Sequence, residues 1–390
     1  NLLYNRDNEP AIISHFENGE QHTLTRDQLL DQVHALSSQF SRFNLGVGDR
    51  VAAFMPNTHE TVTTMLAATT LGGTFTSCSP DFGANGVVDR FSQTSPKILI
   101  ATSGYTYNGK FISSLQTIIE VCEQVPSIEH LILVTSLDTN ATAQKIAIDQ
   151  LSSALACQVH YYSELVETPP AGPLQFIRVP FNHPLYIMYS SGTTGTPKCI
   201  VHGTGGTLIQ HLKEHQLHVD IKPKDRLFYF TTCGWMMWNW LVSGLASGAT
   251  LVLYDGSPTY PEPQRLWDLI DAEQLKTFGP SAQYIASIDK LGIKPRRSHN
   301  LSSLRTILTT GSPLSDESFR YVYSEVKEDL CLSSISGGTD IISCFALGNP
   351  ALPVYAGELQ CAGLGMDVDI FDESGRSLRP QKGELVCKSP

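Results

Sequence analysis

The bulk properties of the chain limit the kind of protein it can be. At 390 residues it is long enough for more than one average domain, and its 41% hydrophobic and 17% charged residues are typical of a globular protein. The formal net charge of −11 argues against nucleic acid or an anionic membrane as the main partner. An anionic substrate would therefore depend on local positive groups. No apolar run approaches the length of a membrane span.

The nine cysteines are scattered along the chain, and no two lie within four residues. This excludes a CxxC pattern for zinc or redox chemistry. In a chain of this size they are expected to be reduced, packed thiols, which favours a cytoplasmic compartment. No signal peptide is evident. The chain begins at Asn1 and not at a methionine, so its natural start is expected to lie further upstream.

Helix and strand patterns alternate along the first part of the chain. Thr25-Arg-Asp-Gln28 is typical of a helix-capping box, and apolar residues follow it at helical spacing up to Phe43. Further strands are predicted at 51–55, 73–78, 97–101 and 130–134, and further helices at 59–71 and 111–125. This alternation predicts an α/β fold with a parallel, doubly wound sheet.

The second part of the chain repeats this rhythm after a proline-rich stretch. Residues 136–184 are predicted to form the crossing between two subdomains. Helices are then expected at 208–217, 235–246, 262–272, 282–291 and 314–328, and strands at 226–231, 249–254, 276–278, 304–309 and 332–335. From about Ala346, short alternating runs at 368–371 and 384–387 predict a small β subdomain.

A run of small residues, Ser190-Ser-Gly-Thr-Thr-Gly-Thr-Pro-Lys198, follows a predicted buried strand at 185–189. Such residues let backbone N–H groups and hydroxyls close around an anion, and Lys198 adds a positive charge. A Walker A loop is excluded because no Ser or Thr follows the lysine and because Pro197 cannot lie inside a continuing helix. The pattern predicts a site for a nucleotide triphosphate, with a flexible linker as the alternative.

This run closely resembles the phosphate-binding loop of the adenylate-forming superfamily, which includes acyl-CoA synthetases, luciferases and the adenylation domains of peptide synthetases. The resemblance implies ATP-dependent activation of a carboxylate as an acyl-adenylate. It implies a core of two doubly wound α/β subdomains, 1–180 and 181–345, the second carrying the phosphate loop and the acyl pocket, and the start of a small, distorted β-barrel-like subdomain at 346–390. It assigns to ATP the residues Ser190, Ser191, Gly192, Thr193, Thr194, Gly195 and Lys198. Among them, Thr193, Thr194 and Lys198 are expected to act in catalysis.

A second glycine cluster, Ile335-Ser-Gly-Gly-Thr-Asp340, follows another predicted strand. An ordinary turn at a strand end would have the same composition. In the superfamily the corresponding threonine touches the α-phosphate and the acid holds Mg²⁺, which implies these roles for Thr339 and Asp340, with Gly338 beside the nucleotide. Because Asp340 replaces the family's longer glutamate, the metal is expected to be bound through water.

Two further segments resemble substrate-binding parts of the superfamily. Gly311, Ser312 and Pro313 resemble the segment whose backbone lies against adenine. The alternative is a plain loop in which Ser312 caps a helix and Pro313 begins it. Phe82 and Gly83 resemble a segment that lines the entry for coenzyme A.

The acyl-binding side is predicted from a segment rich in tryptophan and methionine. Trp235, Met236, Met237 and Trp238 are interpreted as a pocket wall, with a buried helix face as the alternative. The run Thr231-Thr-Cys-Gly-Trp-Met-Met-Trp-Asn239, together with the segments 248–258 and 336–341, resembles the acetoacetate-activating members of the superfamily. Acetate-activating relatives carry a tryptophan where this chain has Gly337, so more room for the acyl group is expected here. Another short or medium-chain acid is the alternative substrate.

A competing metal motif is present at His211-Leu-Lys-Glu-His215, with His218 one turn further on. The spacing matches the H-x-x-E-H zinc pattern, but a packed amphipathic helix has the same spacing. Zinc hydrolysis is therefore kept as a minor alternative.

The resemblance implies a reaction in two halves with ATP, Mg²⁺ and coenzyme A. The acid forms an acyl-adenylate and pyrophosphate, and coenzyme A then takes the acyl group and releases AMP. The superfamily's ribose-binding aspartate and second catalytic lysine would lie beyond residue 390. The chain is therefore expected to be the N-terminal core of a longer enzyme with small-molecule substrates and neither nucleic acid nor membrane as partner. The alternative is a nucleotide- or acyl-binding core that does not complete catalysis.

Overall fold

Two seven-stranded sheets form the centre of the chain in a computed structural model that describes residues 2–4, 6–136, 151–190 and 195–388. The strands are β1 (Pro10–Phe16), β2 (Gln21–Thr25), β3 (Arg50–Phe54), β4 (Thr74–Cys78), β5 (Ile98–Thr102), β6 (Gly104–Tyr107), β7 (Lys110–Ser113), β8 (His130–Val134), β9 (Gln158–Tyr161), β10 (Pro184–Ser190), β11 (Lys198–Gly203), β12 (Arg226–Tyr229), β13 (Thr250–Asp255), β14 (Thr277–Gly279), β15 (Thr306–Thr309), β16 (Cys331–Ser334), β17 (Ser336–Gly338), β18 (Ser343–Leu347), β19 (Cys361–Ala362), β20 (Val368–Phe371) and β21 (Glu384–Cys387).

Helices cover the two sheets. They are α1 (Arg26–Arg42), α2 (His59–Thr70), α3 (Ala84–Thr94), α4 (Leu115–Gln124), α5 (Tyr162–Glu167), α6 (Thr204–Lys213), α7 (Met236–Ser243), α8 (Arg265–Glu273), α9 (Ala282–Lys290), α10 (Pro295–Ser298) and α11 (Asp316–Tyr321). Short π-helical turns follow α6 at Glu214–His218 and α11 at Val322–Val326. Within the described residues, no helix combines the length and the apolar character that a membrane crossing requires.

In each sheet, all strands are parallel except one antiparallel strand at an edge. The first has the order β11-β10-β4-β3-β5-β8-β9, and β11 is its antiparallel member. The second has the order β16-β15-β14-β12-β13-β1-β2, and β2 is its antiparallel member. Because parallel strands point the same way, the loops after them gather at one edge of each sheet, where α/β proteins bind ligands.

The strands do not follow the subdomain boundary predicted at residue 180. Strands β1 and β2 belong to the second sheet, where Ile12 lies opposite Leu251 of β13. Strands β10 and β11 belong to the first sheet, where Tyr186 lies opposite Phe75 of β4. The sequence pattern indicates where a strand is, but packing between distant segments decides which strand it pairs with. The strands on either side of the phosphate loop therefore belong to the first sheet.

Local signals explain both the correct and the wrong element predictions. The capping box is present, since Thr25 Oγ1 accepts from the Gln28 amide and the Gln28 side chain accepts from the Thr25 amide. The helix predicted to start at 111 instead starts at Leu115, after the hairpin β6–β7. Its turn is Asn108-Gly109, and both residues have positive φ, as an Asn-Gly hairpin turn requires. The hairpin β1–β2 and helix α3 were not predicted.

A buried carboxylate joins this hairpin to the second sheet. Glu17, just after β1, accepts hydrogen bonds from the backbone amides of Asn108 and Gly109 and from the amide of Ser257, which follows β13. The hydrogen bonds supply the buried charge with the donors it needs. Near the end of the chain, β20 and β21 pair antiparallel.

Candidate active site

The phosphate loop connects two strands at the edge of the first sheet. Ser190 and Lys198 lie opposite each other in the antiparallel pair β10–β11, so the loop between them is a hairpin connection. Ser191, Gly192, Thr193 and Thr194, which were assigned to ATP, lie outside the described residues. Gly195 has a φ of +131°, a conformation that favours glycine. Lys198 is exposed.

A cavity of about 240 Å³ brings most of the other predicted site residues together. It lies where the loops after β12, β15 and β16 meet. The lining consists of Trp235, Met236, Met237, Thr310, Gly311, Ile335, Gly337, Gly338, Thr339, Ser343 and Cys344. The tryptophan–methionine segment, the adenine segment and the glycine cluster thus share one cavity, although they are far apart in sequence.

Trp238 is an exception to the predicted pocket wall. Its side chain is fully buried in the core, where the indole Nε1–H donates to Asn57 Oδ1 at 3.0 Å and the ring stacks on Phe75. Trp235 is the residue before α7, and Met236 and Met237 are the first two residues of this helix. Successive side chains of a helix point in different directions, so Trp238 can enter the core while its neighbours face the cavity. The wall is therefore formed by Trp235, Met236 and Met237.

Trp238 and Met237 offer a matched pair of substitutions in the full-length protein. Trp238→Phe is expected to lower the free energy of unfolding by about 1–3 kcal/mol, because buried Asn57 loses a hydrogen-bond donor, and to leave the acid preference unchanged. Met237→Ala is expected to shift kcat/KM towards a six-carbon acid by about tenfold, because the cavity widens. Urea unfolding and kcat/KM for both acids check this. A change of acid preference in Trp238→Phe would contradict the assignment.

Gly337 allows two strands to approach closely. A Cβ atom at this position would meet the Ser343 carbonyl oxygen without room for it, and it would lie 3.0 Å from Cys344 Cα. Strands β17 and β18 pair at this point with an irregular register. A side chain here would therefore push against the backbone of β18. It also means that larger residues at 337 would displace β18.

Thr339 and Asp340 lie between β17 and β18, opposite the strand that leaves the phosphate loop. The His202 Nε2–H on β11 donates to the Thr339 carbonyl oxygen at 2.7 Å. Burial lowers the pKa of His202, although the hydrogen bond to Thr339 and the charge of Asp340 oppose the shift. The carboxylate of Asp340 is exposed beside the cavity. One carboxylate together with substrate phosphates suits Mg²⁺, which rarely needs a cage of protein ligands alone.

The adenine segment lies beside the tryptophan wall. Gly311 has a φ of +90°, and a Cβ built on it would lie 4.0 Å from the Trp235 ring. Ser312 and Pro313 are exposed and able to contact a base. The alternative helix start is wrong, because Ser315 is the cap and its side chain accepts from the Ser318 amide.

Phe82 and Gly83 lie at the start of α3, near the phosphate loop. Gly83 precedes the first helical residue, and the Phe82 ring lies 4.5 Å from the guanidinium carbon of Arg90. Arg90 also faces Tyr189, the residue before Ser190, at 5.6 Å. Arg90 was missed because α3 was not predicted. The apolar spacing of Val87 and Phe91 was the signal that could have found this helix.

The zinc-like motif is occupied by protein hydrogen bonds. His211 contacts Ser243 Oγ and the Ile342 carbonyl oxygen, and His218 contacts the Gly348 carbonyl oxygen and the Leu364 amide. Glu214 is fully buried and accepts four hydrogen bonds, from the Trp240 indole, the Ser343 hydroxyl, and the amide and thiol of Cys344. In the part of the chain that the structure describes, no three His, Cys, Asp or Glu side chains are arranged to hold a metal ion.

Comparison with known proteins gives a match to the AMP-binding enzyme family over residues 3–390. The chain belongs to this family. Acetoacetyl-coenzyme A synthetase of Rhizobium meliloti (strain 1021) is 50% identical over 390 residues, 99% of this chain and 58% of that protein. Acetoacetyl-CoA synthetase of Gallus gallus is 43% identical over 392 residues, 100% of this chain and 58% of that protein. The solved structure of acetoacetyl-CoA synthetase from Streptomyces lividans superposes with a TM-score of 0.90 at 40% identity, covering 98% of this chain and 57% of that one.

Family membership confirms the α/β core that the sequence implied. The chain nevertheless spans about 58% of the length of the curated relatives it matches.

Proposed function

We propose that the chain is the nucleotide- and acyl-binding core of an ATP-dependent acid–CoA ligase whose acid is acetoacetate. The observation that carries the proposal is the cavity in which Trp235, Met236 and Met237 meet the turn at Thr339. This cavity lies between the adenine segment and the strand leaving the phosphate loop. The similar proteins from Rhizobium meliloti and Gallus gallus, which are named acetoacetyl-CoA synthetases, support the choice of acid.

The size and lining of the cavity favour a short acid. Its volume of about 240 Å³ lies below the range of about 300–1,000 Å³ that drug-sized ligands fill. Met236 and Met237 are flexible and polarisable, so they can pack against a small acyl chain. Thr310, Thr339 and Ser343 add hydroxyl groups at the same cavity, where a polar acyl group or a phosphate needs partners.

Positioning and charge neutralisation account for the first half of the reaction. A carboxylate oxygen of the acid forms a bond to the α-phosphorus of ATP, and the bond to pyrophosphate breaks. Lys198 would neutralise the leaving pyrophosphate, and the hydroxyl of Thr339 would donate to the α-phosphate. Bound Mg²⁺ would supply further positive charge against the phosphates, and Asp340 is the residue that would hold it.

Attack on the acyl carbon completes the proposed reaction. The thiol of coenzyme A loses its proton and forms a carbon–sulfur bond, and AMP leaves. Phe82 and Gly83 are the proposed contacts for coenzyme A. Arg90 lies beside Phe82, and its positive charge would suit the phosphates of coenzyme A. None of the nine cysteines, all of which lie among the described residues, is part of a disulfide, which supports a reducing, cytoplasmic location.

Acid-dependent exchange between ATP and labelled pyrophosphate tests the proposal on the full-length protein. We expect kcat/KM for acetoacetate to exceed that for butyrate by about tenfold or more, because butyrate lacks the keto oxygen. Acetate, propionate and 3-hydroxybutyrate complete the series. A preference for one of these acids would keep the chemistry and change the substrate. ATP binding without exchange for any acid would contradict the ligase proposal and favour a binding core.

A further inference from the structure

Three buried side chains on one stretch of the chain bind the backbone of the segment that carries Thr339, the proposed α-phosphate contact, and Asp340, the proposed Mg²⁺ ligand. They are His202 on β11, His211 on α6 and Glu214 in the π-helical turn that follows. All three contact the segment 339–344, which connects β17 to β18. The same stretch continues directly from the phosphate loop, so it links the two halves of the nucleotide site.

Glu214 binds both the segment and the pocket helix. Its Oε1 accepts from the Cys344 amide at 3.1 Å and from Ser343 Oγ. Its Oε2 accepts from the Trp240 indole Nε1–H on α7 at 2.9 Å. Ser343 and Cys344 line the cavity, and α7 begins with Met236 and Met237 of its wall. One carboxylate therefore fixes the floor of the cavity relative to its wall.

The two histidines hold carbonyl oxygens at the other end of the segment. The His211 Nε2–H donates to the Ile342 carbonyl oxygen at 2.9 Å, while its Nδ1 accepts from Ser243 Oγ at 2.8 Å. His202 holds the Thr339 carbonyl oxygen in the same way. Burial lowers the pKa of both rings, and a neutral ring with its hydrogen on Nε2 matches these contacts.

The segment that they hold has an unfavourable backbone conformation. Ile342 has a φ of +47°, which is rare for a β-branched residue. Such a conformation persists only where the surroundings enforce it, and it is common at functional sites. Here His211 binds the carbonyl oxygen of Ile342, and Glu214 binds the next two residues. These hydrogen bonds therefore hold the strained residue and the residues that follow it.

We propose that His202, His211 and Glu214 are positioning residues that hold the 339–344 segment in the conformation that presents Thr339 and Asp340 to the nucleotide and acid. The proposal rests on the function proposed above. It also explains why a fully buried carboxylate occupies a place where packing alone would be served by an apolar side chain.

Glu214→Gln in the full-length protein is the decisive variant, and Glu273→Gln is its matched control. Glu273 is also a buried carboxylate, but its side-chain contacts are His15 on β1 and Arg226 on β12, and not the 339–344 segment. We expect Glu214→Gln to lower kcat of ATP–pyrophosphate exchange about 10- to 100-fold, because small displacements of reacting groups are costly. The dissociation constant of a non-hydrolysable ATP analogue should change less than about threefold, since the phosphate loop is untouched.

Amide hydrogen exchange supplies a readout that is independent of catalysis. In Glu214→Gln, the amides of residues 342–347 should exchange about tenfold faster, and in Glu273→Gln they should not. The proposal would be overturned if Glu214→Gln and wild type had equal melting temperatures and equal rates of amide hydrogen exchange. So would a lower melting temperature with unchanged kcat and unchanged protection of 342–347. If wild type catalyses no ATP–pyrophosphate exchange with any acid, the proposed ligase function fails. The amide protection of residues 342–347 then still decides whether Glu214 holds the segment.

A second pair of variants tests His211 in the same assays. His211→Gln keeps an amide N–H that can donate to the Ile342 carbonyl, whereas His211→Met fills the space without a donor. We expect His211→Gln to retain most of the wild-type kcat and amide protection. We expect His211→Met to lose as much of both as Glu214→Gln does. Equal behaviour of the Gln and Met variants would exclude the hydrogen bond as the cause.

Discussion

Asp340→Asn in the full-length protein is expected to lower the rate of acid-dependent ATP–pyrophosphate exchange by about 100-fold or more. The carboxylate is exposed beside the cavity and is the proposed holder of Mg²⁺. A neutral amide binds a hard cation more weakly, and loss of one charge-stabilising group in an active site costs about 10²–10³ in rate. Exchange rates are measured over a range of Mg²⁺ concentrations. Part of the loss should be recovered at high Mg²⁺.

Asp220→Asn is the matched control for this experiment. Asp220 is exposed, pairs with Lys222 and has a φ of +59°, which asparagine also adopts readily. Its rate and Mg²⁺ dependence should equal those of wild type. An Asp340→Asn protein with the wild-type Mg²⁺ dependence would remove Asp340 from the metal site and direct attention to other oxygen ligands.

Below about pH 6.5, the free energy of unfolding of the protein is expected to fall steeply. His211 and His215 are fully buried, and burial is the main cause that lowers the pKa of each. The unfolded chain therefore binds more protons than the folded one, so stability is complete above the unfolded pKa and is lost as the pH falls below it. Each such histidine contributes a slope of about 1.4 kcal/mol per pH unit.

His215→Phe separates one histidine from the rest. The His215 ring packs edge-on against Trp240 with centroids 4.3 Å apart, and neither ring nitrogen makes a hydrogen bond of standard geometry to a described residue. Phenylalanine should therefore preserve the packing and leave stability at pH 7.5 unchanged or higher. It should lower the slope between pH 6.5 and 5.5 by about 1 kcal/mol per pH unit, because the unfolded histidine is only half protonated at about pH 6.5. Urea unfolding at the three pH values measures both. A slope equal to that of wild type would show that His215 is not the titrating group.

Several features of the fold and the site could be predicted because they depend on local chemistry. The capping box at Thr25 acts within four residues, and the alternation of strands and helices reflects which faces are apolar. The small-residue run ending at Lys198 and the cluster ending at Asp340 are recognisable because binding phosphate demands short side chains near backbone amides. The hairpin turn at Asn108-Gly109 carried an equally local signal and could have been predicted.

Other features are decided between segments far apart in sequence. The pairing of Ile12 with Leu251 places the first strands in the second sheet, and no local pattern encodes a partner 239 positions away. The same holds for the direction of side chains on α7, which sends Trp238 into the core and Met237 into the cavity.

The composition, the types of most elements and the groups available for binding phosphate follow from the sequence alone. Tertiary structure decided what each motif does. The spacing of His211 and His215 suits zinc, yet His211 contacts Ser243 and the Ile342 carbonyl, and Glu214 between them contacts the Cys344 amide. Gly337 suits an open pocket, and the close approach of β18 is the reason that it must be glycine. The physical reason is that a motif specifies which groups are available, whereas packing across the two sheets specifies which partners they meet.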